Sequence, residues 1–433
     1  MKYSTGMSLL LLFTPPVFAG DVELSPEQTV AMLNTNYNER LYECRDTKTN
    51  AVRGHYYCSG VIVRTVDTAR FVPWDYSPSA IKLGSTSFSW LRSDILTNKL
   101  YHPAGLIVRT PEDALIHNRP ALDKGWECIY TFDANTTRGI LYPNAGKPRG
   151  WNGCDFEGDF TENKSTQLVD NNNNEDAYGS CREIGVGSDD LAKNQAALWV
   201  NRYRNDKNRT ENQCSWNIEK ARDWNSMIGI RTGPDFRNNG MWTEMLLKNA
   251  SETADGSRLI PHIDGFFYDV NNMTELNADK QSGATIARIF QAQLKRAGYT
   301  VPVLRLNFKA PAAQRFTYSA TDQGTCDSYI KSATWRAYFD KDIKKEIWSL
   351  SVVPTDCGRN IAPEETDVAY AELAFAHDKD VQWTEINGGG MRRQFVCLLT
   401  NYRDKDEWNM EPIRPDVTQE AAVKSYCNPL PKP

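Results

Sequence analysis

The sequence predicts an α+β protein in two parts, and three observations predict it. Runs with strand character, at residues 57–64, 85–91, 301–308 and 348–353, recur between amphipathic helical stretches. A stretch of Ala, Pro, Thr and Ser at residues 309–324 reads as a linker, which divides a domain at residues 21–310 from one at residues 325–433. Ten cysteines, an even number, all follow an amino-terminal secretory signal. The first domain is expected to be a sheet with packed helices. The second is expected to be a small, mostly β, disulfide-linked module.

The signal comes first. Met1-Lys2-Tyr3 is weakly basic, residues 7–13 are apolar, Thr14-Pro15-Pro16 breaks the run, and Val17-Phe18-Ala19 offers small residues to a signal peptidase. Residues 1–19 are therefore read as a signal peptide, cleaved after Ala19, with no Cys behind it for a lipid anchor. No later stretch approaches the ~18 apolar residues of a membrane span. A secreted or periplasmic protein without membrane contact after cleavage is expected. A net charge of -5 argues against nucleic acid as partner, because phosphate contact needs a basic face.

The cysteines are Cys44, Cys58, Cys128, Cys154, Cys181, Cys214, Cys326, Cys357, Cys397 and Cys427. Pairing of sequence neighbours is the simplest arrangement, and each closed loop would stabilise by roughly 3 kcal/mol. Metal binding is disfavoured, since no Cys-x-x-Cys occurs and the five His are scattered.

Ser25-Pro26-Glu27-Gln28 opens a helix, with Ser25 as cap, Pro26 in the first turn and Gln28 closing a capping box. Val30, Leu33, Tyr37 and Leu41 form its apolar face. Strands follow at residues 57–64 and 85–91, the latter running into a turn. Residues 146–179 are polar. A calcium loop starting at Asp170 fails there, because Glu175 stands where the sharp turn needs Gly and Cys181 where the loop needs Glu. Helical patterns return at residues 188–203 and at 282–297. The second carries Ile286, Ile289, Phe290 and Leu294 on one face and Gly298 as its stop. In the last hundred residues, strands are expected at 348–353, 394–399 and 408–411. Trp348, Trp383 and Trp408 are read as core residues before ligand contacts.

Several chemistries are missing. There is no Gly-x-Ser-x-Gly elbow, no His-Glu-x-x-His, no phosphate-binding Gly-x-x-x-x-Gly-Lys and no Gly-x-Gly-x-x-Gly. What remains is Arg64 at a strand end, Ser85-Thr86-Ser87 followed by Phe88 at the start of another strand, and Glu244 in Trp242-Thr243-Glu244. An arginine fork can hold phosphate or ribose oxygens. Serine hydroxyls can brace a glutamate, and a carboxylate can stabilise a sugar cation as it forms. Arg, Ser-Thr-Ser and a late Glu in this order resemble the ADP-ribosyltransferase superfamily, whose split β-sandwich binds NAD.

A wider set of segments resembles the halovibrin-type secreted bacterial proteins: Asn36-Tyr37-Asn38, residues 57–64, residues 74–79, residues 87–94 and residues 261–268. That resemblance covers residues 25–310 in islands and implies an enzyme cleaving NAD, as a glycohydrolase or a transferase. The ADP-ribosyltransferase pattern implies Glu244 and Ser87 as catalytic residues and Arg64, Ser85, Thr86 and Phe88 as substrate-binding ones. NAD would be substrate, with no bound cofactor, and a protein target or immunity partner stays open. Other carboxylates, Glu157 among them, could replace Glu244. In transferases that modify arginine a second Glu precedes the catalytic one by two residues. Here that position is Trp242, which cannot take a proton, so water is the expected acceptor.

Residues 325–430 resemble a domain of unknown function in secreted bacterial proteins, on segments including Met391-Arg392-Arg393-Gln394-Phe395-Val396-Cys397 and Trp408-Asn409-Met410-Glu411-Pro412. It implies no chemistry. The rival reading of the whole chain is a non-catalytic binding or adhesion protein using its 19 Tyr, 16 Phe and 12 Trp for glycan or protein contact.

Overall fold

A computed structural model describes residues 24–66, 72–130, 216–232, 242–274, 276, 280–385 and 388–431. The signal peptide expected at residues 1–19, the polar loop near Asp170, the helix expected at 188–203, Glu157, Cys154, Cys181 and Cys214 lie outside the described residues.

Helix α1 (Pro26–Asn38) begins as its sequence requires. Ser25 Oγ accepts from the Gln28 amide at 3.2 Å, and Gln28 Oε1 accepts from the Ser25 amide at 2.8 Å. Leu33 and Tyr37 are buried, but Leu41 falls beyond the helix end and is 39% exposed. A short ribbon, β1 (Cys44–Arg45) and β2 (Val52–Arg53), is closed by the Cys44–Cys58 disulfide.

The main sheet is then built from β3 (Val61–Thr65), β4 (Ser85–Leu91), β5 (Ala104–Val108), β6 (Trp126–Tyr130), β7 (Trp216–Asn217), β8 (Glu244–Lys248), β9 (Ile263–Asp269), β10 (Val303–Leu306) and β11 (Phe316–Tyr318). Their order across the nine-stranded sheet is β11-β10-β9-β5-β3-β4-β8-β6-β7. Only β9 and β10 pair in parallel among these described strands, and helix α5 (Gly283–Arg296) makes their crossover. Short helices α2 (Pro78–Leu83) and α3 (Pro111–Ile116) and the longer α4 (Ala221–Thr232) complete this part.

Two layers cover the sheet. On one face, Leu33 and Tyr37 of α1 meet Val61, Val63, Leu91, Ile107 and Phe267. On the other, α5 buries the four residues its periodicity marks, Ile286, Ile289, Phe290 and Leu294. Gly298, with φ +90°, ends that stretch of chain where only glycine is unstrained.

Strand β4 is divided between two neighbours. Its residues 89–91 pair with β3, while its residues 85–88 pair with β8. The sheet parts along this one strand.

Residues 309–324 are not a linker. They include β11, which pairs with β10, and Phe316 is fully buried beside Tyr37. Asn34 bonds both the amide and the carbonyl of Phe316, at 2.9 Å each. The Gln323 side chain likewise bonds both backbone groups of Val303. Alanine, proline and serine on either side hid a three-residue edge strand, which needs only one inward apolar residue.

The carboxy-terminal part contains β12 (Ile330–Asp340), β13 (Lys345–Pro354) and β14 (Trp408–Met410) in one antiparallel sheet. It also contains helices α6 (Asp356–Arg359), α7 (Thr366–His377), α8 (Gly390–Asn401) and α9 (Gln419–Lys424), more helix than its sequence suggested. Residues 394–399 lie in α8 and not in a strand. Met391, Phe395 and Leu398 recur at helical spacing and are buried, and a six-residue apolar run alone cannot separate the two conformations. Disulfides Cys326–Cys357 and Cys397–Cys427 join sequence neighbours, as expected. Cys128 is disulfide-bonded as well. Of the three tryptophans read as core, Trp408 is fully buried, Trp383 is half-buried against Trp335, and Trp348 is 44% exposed.

The two parts share a hydrophobic cluster. Helix α7 packs on α5, Arg288 pairs with the buried Glu365, and Trp74 meets Phe375 edge-on at 6.0 Å. Among the described residues no helix is long and apolar enough to cross a membrane.

Candidate active site

The register of β4 against β8 decides which side chains meet. Ser87 lies opposite Leu246 and Ser85 opposite Lys248. Side chains alternate along a strand, so Ser85, Ser87, Glu244 and Leu246 share one face. Thr86, Phe88, Met245 and Leu247 take the other. Glu244 is a diagonal neighbour of Ser87, and Ser87 Oγ donates to Glu244 Oε1 at 2.5 Å. Glu244 is 3% exposed, while Ser87 is open to solvent. Thr243 secures the start of β8: its hydroxyl accepts from the Trp90 amide and donates to the Trp90 carbonyl, both at 3.0 Å.

A second carboxylate reaches the same face. Ser85 Oγ donates to Glu127 Oε2. Glu127 comes from β6, at a bulge where Trp126 faces Leu247 but Cys128 faces Leu246. That irregularity leaves Glu127 as the extra residue, and such bulges re-aim side chains. Its side chain is partly exposed. The result is two serine–glutamate pairs side by side on the strand where the sheet parts.

Arg64 does not join them. It follows Ile62 on β3, and Ile62 lies opposite Trp90, so its side chain goes to the opposite face from Ser85 and Ser87. There it is 7% exposed and donates to the carbonyls of Pro73 (2.8 Å) and Asp75 (2.7 Å). Burial lowers its pKa to about 10, against an opposing pull from Asp75. Thr86 donates to Asn249 Oδ1 at 2.7 Å, and Asn249 in turn holds the Ala80 carbonyl of α2 at 2.8 Å. Phe88 packs edge-on to Trp126 at 5.2 Å in the core.

Of the six residues singled out from sequence, the fold thus gathers Ser85, Ser87 and Glu244. Arg64, Thr86 and Phe88 serve the layer behind them. The residue missed was Glu127. Its one signal is an acid inside Trp126-Glu127-Cys128-Ile129-Tyr130, an otherwise apolar run with strand character. Beside Glu244, Trp242 meets the exposed ring of Tyr101 at 5.7 Å.

Chemically, Glu244 offers a carboxylate that Ser87 holds and that is shielded from water. An ionised carboxylate in such a place acts on a developing cation far more strongly than a solvated one. Among the described residues no group of three or more His, Cys, Asp or Glu could hold a metal ion.

Residues 330–430 match the model of a family described as a protein of unknown function, DUF2599. This agrees with the carboxy-terminal resemblance drawn from sequence. Uncharacterized proteins of Mycobacterium bovis and of two Mycobacterium tuberculosis strains are each 35% identical to the chain over 85 residues, 19% of this chain and 56% of theirs. The chain spans about half the length of these curated relatives.

Proposed function

We propose that this chain is an exported enzyme that cleaves NAD between nicotinamide and ribose and passes the ADP-ribosyl group to water. The observation that carries this reading is the Ser87–Glu244 pair, 2.5 Å apart at the point where β4 changes partners. As the C1′–N bond lengthens, positive charge moves from the pyridinium to the ribose. Glu244 meets that charge, and Ser87 keeps the carboxylate from rotating away. Ser85 and Glu127 border the same site. Arg64 acts at a distance, by holding the turn at residues 73–75.

Trp242 leaves no carboxylate two residues ahead of Glu244 for activating a guanidinium, which favours water over arginine as acceptor. The test is incubation of the purified protein with NAD, following free nicotinamide. Release by the unaltered protein and a loss of about 10²–10³-fold in Glu244→Ala are expected, the scale of removing one electrostatic stabiliser. Equal release from both proteins would refute the role of Glu244.

A second reading concerns the carboxy-terminal part, where one observation favours binding. Phe339 lies opposite Glu346 and Ala337 opposite Trp348 in the β12–β13 hairpin, so Phe339 and Trp348 share a face. They are 63% and 44% exposed. In this reading the module supplies an aromatic contact surface and the chemistry stays with β4 and β8.

A further inference from the structure

We propose that Glu127 is the base that activates the attacking water, an inference that rests on the NAD-cleaving reading above. A hydrolase must accept a proton from water as the new bond forms. Glu244 is poorly placed for that role, since it is buried and engaged by Ser87. The position two residues ahead of Glu244, just before β8, is occupied by Trp242 and carries no second carboxylate. The fold supplies one from a different strand. Glu127 arrives through the β6 bulge and its carboxylate accepts from Ser85. It is partly exposed, so water can reach it.

The two carboxylates are held by serines two residues apart on one face of β4, about 6.6 Å along the strand. In inverting glycoside cleavage a second carboxylate set apart from the first leaves room for a water between base and sugar. The two glutamates differ in environment as the two roles demand. The shielded one faces the cation and the wetter one faces the nucleophile.

The step balances without any further reagent. The C1′–N bond breaks and its electron pair leaves with nicotinamide, neutralising the pyridinium charge. Water oxygen bonds to C1′, and the Glu127 carboxylate takes the released proton and passes it to solvent. NAD and water give ADP-ribose, nicotinamide and one proton.

The experiment compares the unaltered full chain with Glu127→Ala, Glu127→Gln and Glu244→Gln, recording thermal melting of each. Glu127→Gln keeps an acceptor for Ser85 and so guards against a folding defect. Both Glu127 variants should release nicotinamide about 10²–10⁴-fold more slowly, with KM for NAD within a few-fold. Sodium azide, a nucleophile needing no base, should restore turnover in Glu127→Ala and yield ADP-ribosyl azide. Glu244→Gln should be slow and should not be restored. If the unaltered protein releases nicotinamide and both Glu127 variants stay within about threefold of it, the role of Glu127 is overturned and the NAD reading stands. A slow, folded Glu127→Ala that azide leaves slow also overturns it. No release from the unaltered protein overturns both.

Discussion

Replacing Arg64 with Met separates a substrate-binding arginine from one that holds the fold. Methionine keeps the apolar stem and removes the guanidinium. The carbonyls of Pro73 and Asp75 then lose their donors, at about 1–3 kcal/mol each for a buried acceptor left unpaired. Against this, the folded state no longer shelters a buried cation. A pKa lowered from 12.5 to about 10 corresponds to a burial penalty of roughly 3 kcal/mol that the variant escapes. The difference lies between about 1 kcal/mol of stabilisation and about 3 kcal/mol of destabilisation, so the expected Tm change is centred on a fall of a degree or two for a chain of this size. Because the side chain lies behind the sheet, nicotinamide release per folded molecule should stay within about threefold. Thermal melting and NAD turnover on the same preparation check both halves. An unchanged Tm with turnover down tenfold or more would show that Arg64 touches substrate and that the two-face reasoning is wrong.

Two further perturbations test the packing. His55 is fully buried, and burial followed by the nearby Arg92 charge lowers its pKa to about 4. The unfolded chain binds this proton more readily, so the associated stability is complete above pH 6.5 and is lost as pH falls toward 4. That is roughly 3 kcal/mol between pH 7 and pH 4, and urea unfolding at the two values should show a smaller drop in His55→Gln than in the unaltered protein. An identical pH dependence in both would exclude His55 as its source. The second perturbation is to express residues 325–433 alone, which uncovers the side of α7 that packs on α5 and leaves Glu365 without Arg288. This fragment should melt at lower temperature and less cooperatively than one starting at residue 280. Equal melting curves would show that the α5–α7 contact contributes nothing.

Local signals were legible wherever a short stretch of chain carries the physics. Ser25 and Gln28 cap α1 through bonds between residues three apart, and the α5 face repeats at a helical period that burial then follows. Cysteines separated by 14, 31 and 30 residues found each other as neighbours. The run at residues 394–399 failed because six apolar residues suit either conformation until packing chooses. Phe316 failed because an edge strand needs little sequence of its own. The site divides in the same way. Ser85-Thr86-Ser87 and Glu244 stand out as residue types, and alternation along β4 already separates Ser87 from Thr86. Whether Glu244 faces Ser87 depends on the register between strands more than 150 residues apart, which no local pattern states. Glu127 reaches Ser85 only through a bulge, and Arg64 leaves the group only because β3 and β4 pair in the register that sets Ile62 against Trp90. The sequence by itself therefore determined α1, α5, three bridges between neighbouring cysteines and most of the candidate chemistry. Tertiary structure alone decided which candidates share a face, because a one-residue change of register would turn every side chain of a strand to the other side.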